Sequence, residues 1–351
     1  MMYGNHLRYA ANIIKEYDGG VPLSAWLKDF FKQNKQMGSR DRKTVSGLVY
    51  GYYRLGHLQY DDIEERLLAG LNKTPKPGLI FPWIDALSNG IDAEAFSQSF
   101  LIQPDLFLRI RPGKEDIVNE KLDTAAISYY SCGNSCIGMP NATKIDSILD
   151  INADAVIQDK SSQSTGSLIP ELHNLKVWDC CAASGGKSIM AYDLIKDIDL
   201  TASDLRPSII NNLDERFRRA GISKYLSFVA DLTKEKTVLP DEKYDLIIAD
   251  VPCSGSGTWS RTPEQLYFFK EEKIEYYNQL QKKITERVIP SIKPGGYLLY
   301  ITCSVFAKEN EEIVEHIQKN HPLQLVRSEL FKGYNERADT LFAALFSART
   351  T

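Results

Sequence analysis

Residues 245–257, DLIIADVPCSGSG, set a short apolar run, Leu246 to Ala249, between two aspartates and follow it with Pro252-Cys253 and a string of small residues. Such a run reads as a strand buried on both faces, as in a parallel sheet, delivering Asp250 and Cys253 to its carboxyl end ahead of a tight loop. A second run, Tyr297 to Ile301, follows Lys293-Pro294-Gly295-Gly296, read as a turn, and delivers Thr302-Cys303-Ser304 in the same way. Chemistry in open α/β sheets gathers outside the carboxyl ends of the strands, so Cys253, Cys303 and Asp250 are expected to face one crevice.

The surrounding pattern extends this reading. Lys176 to Asp179 is a strand with a helix from Lys187, and Leu200 to Asp204 is a strand with a helix from Pro207 to Ala220. Tyr225 to Asp231 and Tyr244 to Asp250 continue the alternation, which predicts an α/β fold with a mostly parallel, doubly wound sheet. The first loop, Cys180-Cys181-Ala182-Ala183-Ser184-Gly185-Gly186-Lys187-Ser188, ends like a phosphate-binding loop, and Tyr244 to Asp250 passes for the strand that accompanies one. That pattern needs glycine where Cys181 stands, which counts heavily against an ATPase. The competing reading is a Rossmann-type adenosine site, with the loop and helix N-terminus close to the ligand and an acid, Asp204, at the next strand end for ribose hydroxyls.

Taken together, Asp250-Val251-Pro252-Cys253-Ser254-Gly255, Thr302-Cys303-Ser304 and the loop at 180–188 resemble the motif set of the RsmB/NSUN family of RNA cytosine-C5 methyltransferases. The resemblance covers roughly residues 104–351. It implies S-adenosylmethionine as cofactor, with residues 180–187 around its methionine moiety, Asp204 on the ribose, Asp231 near the adenine and Asp250 beside it; for Asp231 a turn-forming role is the alternative. Cytosine C5 is a poor nucleophile until a thiolate adds at C6. By resemblance Cys303 makes that bond, Cys253 assists release, Asp250 serves N3, and Lys187 supports the cytidine or Asp250. Arg261 matches the family's basic position after the loop; a surface arginine is the alternative. Ser184 stands where family members usually have proline, suggesting a less rigid loop, and Lys308-Glu309-Asn310-Glu311 resembles the family's Glu-Asn-Glu helix start, with a structural role. The ending Asp339-Thr340-Leu341-Phe342-Ala343 departs from the usual pattern.

Upstream, Leu7, Ala10, Ile13, Ile14 and Tyr17 recur at helical spacing, Pro22 opens a second amphipathic helix, and GSRDRKTVSGLVYGYYRLGHL (38–58) reads as a third. The first 58 residues carry nine Lys and Arg against four Asp and Glu. Arg40 and Arg42 are candidate phosphate contacts, with Tyr9, Trp26, Tyr50, Tyr52 and Tyr53 available for stacking; a solvated helix face is the ordinary alternative. Residues 40–54 resemble the NusB-like helical domain that precedes the catalytic part in this family. The proline-rich 72–82 is read as a surface loop, and Asp92 to Phe100 as a helix. The segment from Gln103 to about residue 160 looks like the small α/β subdomain beside the family's catalytic core. Arg109 and Arg111 share a strand face there, to meet RNA phosphate or to form a structural ion pair. Val156 to Gln163 resembles the helix leading into the catalytic domain. The expected organisation is thus residues 1–103 helical, 104–160 small α/β, and 161–351 catalytic.

With 351 residues, 43% hydrophobic and 25% charged, the chain is ordinary globular material of two or three domains. No apolar stretch approaches the roughly 20 residues of a membrane span and no signal-peptide pattern opens it, so it is expected in the cytoplasm and off membranes. Six cysteines there are expected reduced, with Cys132 and Cys136 packed rather than holding zinc, and no metal is expected. A net charge of −4 argues against nonspecific coating of nucleic acid. The expected partner is RNA, ribosomal (16S) first and tRNA second. The rival of another class is a noncatalytic RNA-binding protein of ribosome assembly.

Overall fold

The computed structural model describes residues 4–133 and 135–350. The chain opens with helices α1 (Gly4–Glu16), α2 (Leu23–Gln33), α3 (Ser39–Arg54), α4 (Ile63–Asn72) and α5 (Ala93–Ser99). The backbones of α3 and α4 touch where each carries glycine, since a Cβ on Gly70 would stand 2.2 Å from the Gly51 carbonyl oxygen. The apolar stripes of the first four helices close on Ile13, Leu27, Val45, Leu48 and Leu67.

That core corrects part of the RNA reading. Tyr52 and Tyr53 are buried in it and Tyr9, Trp26 and Tyr50 pack partly buried against it, so these rings fill the helical core rather than wait for bases. Arg54 is buried as well, its Nη1 donating to the carbonyls of Phe100 (2.8 Å) and Ser260 (2.9 Å), and burial pulls its pKa down to about 10. Nor is 72–82 wholly a surface loop: Ile80 and Phe81 plunge into a second aromatic core with Trp259, Phe269 and Phe306. This core is shared with the loops after the two cysteine-bearing strands, so the helical unit is packed onto the catalytic part.

A four-stranded antiparallel sheet follows, built from β1 (Leu106–Ile110), β2 (Tyr130–Gly133), β3 (Cys136–Met139) and β4 (Ala155–Ile157) in the order β2-β3-β1-β4, with α6 (Glu115–Thr124) against it. Val156 and Ile157 pair with β1 here, so the helix expected over 156–163 is shorter: α7 (Lys160–Ser164), capped by Asp159 accepting from Ser161 N–H. Among the described residues no cluster of three or more His, Cys, Asp or Glu could hold a metal, and Cys136 is buried on the β2–β3 hairpin.

The remaining elements are β5 (Lys176–Asp179), α8 (Gly186–Leu194), β6 (Asp199–Asp204), α9 (Pro207–Arg219), β7 (Tyr225–Val229), β8 (Tyr244–Asp250), α10 (Pro263–Phe268), α11 (Glu272–Val288), β9 (Ile292–Thr302), α12 (Glu311–Asn320), β10 (Leu323–Lys332) and β11 (Thr340–Ala348). The sheet runs β10-β11-β9-β8-β5-β6-β7, parallel from β9 to β7 and antiparallel across β11. Lys293 to Gly296 lie within β9 as an irregularity, the register with β8 jumping between Tyr244 and Leu246, rather than as a turn before the strand.

Period-2 alternation explains why strands so apolar are stable. Leu246 and Ile248 point into a core with α8 and α9, while Ile247 and Ala249 point into the opposite one with α11 and α12. The chain runs outward from β5 to β7 and then returns to β8 on the other side of β5. This reversal opens a crevice at the carboxyl ends of β5 and β8.

Candidate active site

Both cysteines reach that crevice. Cys253 leaves the end of β8 and Cys303 the end of β9, and their sulfurs lie 3.2 Å apart. The hydrogen bond to Cys303, with burial, pushes the Cys253 thiol well up, and either sulfur can be the donor in their contact. The loops are stitched together by Gly257 N–H donating to the Cys303 carbonyl (2.9 Å), and only glycine fits there, a Cβ being 1.9 Å from the Thr340 carbonyl oxygen.

Beneath them lies a buried carboxylate that the sequence reading treats as a helix-start acid. Glu309 Oε2 accepts from Ser254 N–H (2.9 Å) and Gln281 Nε2 (3.0 Å), and Oε1 from Ser304 Oγ (2.7 Å). Ser254 and Ser304 are the immediate neighbours of the two cysteines, so one side chain fixes both loops. Burial raises the Glu309 pKa.

Asp250 Oδ2 is 3.3 Å from Lys187 Nζ, which also donates to Ser162 Oγ at 2.6 Å. Lys187 sits in the first turn of α8, its side chain 7% exposed against 32% for Asp250, so the lysine is a fixed cation and the carboxylate faces the opening. The loop from Cys180 to Gly186 is held on both sides: Ala182 N–H donates to the Ser203 carbonyl (2.9 Å) and Ala183 N–H to Asp204 Oδ2 (3.1 Å). Gly185 is left-handed (φ 85°) over Phe217, where a Cβ would be 2.6 Å from the ring. Ser184 does not loosen the loop, because Arg216 Nη1 donates to its carbonyl (2.9 Å) and its hydroxyl (2.6 Å).

Asp204 ends β6 at the rim, its Oδ1 also accepting from Arg206 N–H and Nε at 3.0 Å each. Asp231 is occupied as a turn carboxylate by Thr233 and Lys234, the alternative role. The three interior arginines are engaged as well. Arg109 and Arg111 both ion-pair with Asp193, at 2.5 and 2.6 Å, and Arg261 bridges Asp159 (2.7 Å) and Asp339 (2.8 Å). These are ties between units, not free phosphate ligands. Arg42 is half-buried with Nε on the Met37 carbonyl, leaving Arg40 exposed.

Asp179, at the end of β5, is a residue the sequence reading passes over. It is fully buried, its Oδ2 accepts from Ser188 Oγ at 2.6 Å, and its Oδ1 has no partner among the described residues. A strand-end acid directly before a glycine loop was the available signal. The unpartnered acceptor fits a cationic donor of a ligand, the α8 N-terminus fits an anionic group, and the space over Gly186 is open to both. Burial raises the Asp179 carboxyl to about 7. A raised carboxyl means the folded state keeps a proton that the unfolded state has lost above about 4, so stability falls between about pH 4 and 7 by on the order of 1 kcal/mol per unit. Asp179→Asn is expected to remove that slope and to gain on the wild type as pH rises to about 7. Urea unfolding at pH 5, 6, 7 and 8 checks it, and parallel curves would refute it.

The strand order, the reversal at β5 and the glycine loop define a Rossmann-type methyltransferase fold. The family model for 16S rRNA methyltransferase RsmB/F matches residues 167–342, half of the chain, and the protein belongs to the RsmB/F methyltransferase family. This sets aside the phosphate-loop reading. A probable ribosomal RNA small subunit methyltransferase B from Bacillus subtilis is 28% identical over 286 residues, 79% of this chain and 63% of the relative. The chain therefore spans somewhat under two thirds of that protein. Among solved structures, PH0851 superposes with a TM-score of 0.75 at 18% identity over 97% of both chains. NSun6 from Pyrococcus horikoshii, solved with SFG, gives 0.63 at 14% identity over 74% of this chain and 94% of its own. Among the described residues no helix is long and apolar enough to cross a membrane.

Proposed function

We propose that this protein is an S-adenosylmethionine-dependent RNA cytosine-C5 methyltransferase acting on small-subunit ribosomal RNA. The observation that carries the reading is the pair of cysteine sulfurs 3.2 Å apart beside the Asp250–Lys187 pair, at the carboxyl ends of neighbouring strands. Cys303 adds to C6 as a thiolate, a charge that the Cys253 S–H stabilises through its hydrogen bond. A proton carried by Asp250, beside Lys187, is given to N3 as charge develops in the ring and is returned when Cys303 leaves. Residues of the 180–187 loop, with Asp179 and Asp204, would hold S-adenosylmethionine, which would supply an electrophilic methyl group for C5. Once Cys303 is bonded to carbon, the hydrogen bond that holds Cys253 up is gone; Cys253 can ionise, take the C5 proton and let the Cys303 thiolate leave. Exposed Arg40 and Lys43 on the NusB-like unit are assigned to RNA phosphates.

The test is to incubate the purified protein with S-adenosylmethionine and unmodified ribosomal RNA and to map 5-methylcytosine. Modification of transfer RNA alone would move the substrate, and RNA binding without modification would leave a noncatalytic RNA-binding protein. In the same preparation Asp204→Ala is expected to weaken S-adenosylmethionine binding by about 1–3 kcal/mol, the cost of stranding ribose hydroxyls. Unchanged affinity by titration calorimetry would move the adenosine site.

A further inference from the structure

Where the helical unit meets the Cys253 loop there is a cleft of about 360 Å³, lined by Tyr17, Val21, Ser254, Trp259, Glu264 and Tyr277 among others. Two of these residues carry buried polar atoms with no partner among the described residues. Glu264 is 4% exposed, its Oε1 accepting from Leu23 N–H at 3.2 Å and its Oε2 from nothing; Trp259 is fully buried and its indole N–H donates to nothing. Stranding a buried donor or acceptor is costly, and native proteins rarely keep two in the lining of one cleft unless something that visits the site satisfies them. Here one is an acceptor and the other a donor. Tyr17, Phe268 and Phe269 supply aromatic walls, and exposed Lys273 stands at the rim.

We propose that this cleft receives the nucleobase next to the target cytidine, with Glu264 and Trp259 reading its edge; this rests on the function proposed above. The Watson–Crick edge of every nucleobase places an N–H donor beside an acceptor, which matches one free carboxylate oxygen and one indole N–H. The target must leave its stack to reach Cys303, and that strips its neighbour of a stacking partner. A second pocket one residue from Cys253 receives that neighbour and holds the splayed strand open. It also gives the docking of the helical unit a purpose, since Tyr17 and Val21 close the cleft from that side.

The experiment uses a short single-stranded RNA centred on the cytidine that the wild-type protein methylates, intact or with one abasic nucleotide immediately 5′ or 3′ of it. In the wild type one of the two abasic RNAs is expected to raise KM roughly 5- to 150-fold, the range for loss of one stacked base, with little change in kcat. In Trp259→Phe, which keeps the ring and loses the N–H, and in Glu264→Gln, the intact RNA loses most of that advantage. S-adenosylmethionine affinity and melting temperature report folding, and either variant suffices if the other fails to fold. Equal KM for intact and both abasic RNAs in the wild type overturns the proposal, as do variants that weaken intact and abasic RNAs by the same factor. A wild type that methylates no RNA overturns the proposed function itself, and the cleft assignment with it.

Discussion

Cys303→Ala is expected to abolish methyl transfer, a loss of at least several orders of magnitude, and to leave no covalent RNA complex, because without a thiolate at C6 the ring is never activated. Cys253→Ala should do something different. Attack and methylation still proceed, but elimination stalls, so protein and RNA accumulate as one adduct that survives denaturing electrophoresis. The 3.2 Å contact adds a second expectation that the sequence did not supply. Cys253 is the partner held protonated, and its S–H lowers the cost of a thiolate at Cys303. Replacing Cys253 by serine, which keeps a donor of smaller reach, should therefore slow adduct formation less than alanine does, while both block release. An adduct from Cys303→Ala would reverse the two roles, and repeated turnover at the wild-type rate in both alanine variants would remove the crevice from the chemistry.

The crevice was legible because it depends on little beyond strand order. Once Leu246 to Ala249 and Leu298 to Ile301 are read as buried parallel strands, Asp250, Cys253 and Cys303 fall at one end of the sheet, where they meet in the fold. What escaped the sequence depends on partners far along the chain. Arg109 and Arg111 meet Asp193, and Arg261 meets Asp159 and Asp339, across separations that no local pattern encodes. Tyr52, Tyr53 and Arg54 sit in a basic, aromatic stretch that suits RNA by composition; the last turn of α3, from Gly51 to Arg54, is packed on every side, so they are buried instead. Val156 and Ile157 have helical neighbours in sequence but a strand partner, β1, some fifty residues earlier. Ser184 was read from the missing proline ring, whereas what fixes the loop is Arg216 on a different helix.

Glu309 is the clearest case of a residue whose sequence context misleads, and it carries the second large expected effect. Two residues before α12 it reads as an acid that suits a helix start, yet its carboxylate is fully buried and receives three donors from three segments. Glu309→Ala strands the Ser254 N–H and takes an acceptor from Ser304 Oγ and from Gln281 Nε2, which keeps only the Pro252 carbonyl at 3.1 Å. At about 1–3 kcal/mol for a buried donor left unpaired, the expected loss is about 3 kcal/mol, roughly 4 °C in melting temperature for a chain of this size. Methyl transfer should fall with it, because the segments released are those holding Cys253 and Cys303. Glu309→Gln separates the two effects. Its amide oxygen can accept from Ser254 N–H and Gln281, and Ser304 Oγ can rotate to accept from the amide nitrogen, so the fold should survive. The charge is gone, however, and that charge is one of the influences raising the Cys253 thiol. The sign follows directly: without the carboxylate Cys253 ionises more easily, so the pH dependence of adduct breakdown should shift to lower pH in Glu309→Gln while adduct formation still occurs. Single-turnover decay of the RNA adduct between pH 6 and 9 measures it. A melting temperature unchanged in Glu309→Ala would show that the cysteine loops hold themselves, and a pH profile unmoved in Glu309→Gln would confine Glu309 to holding those loops in place.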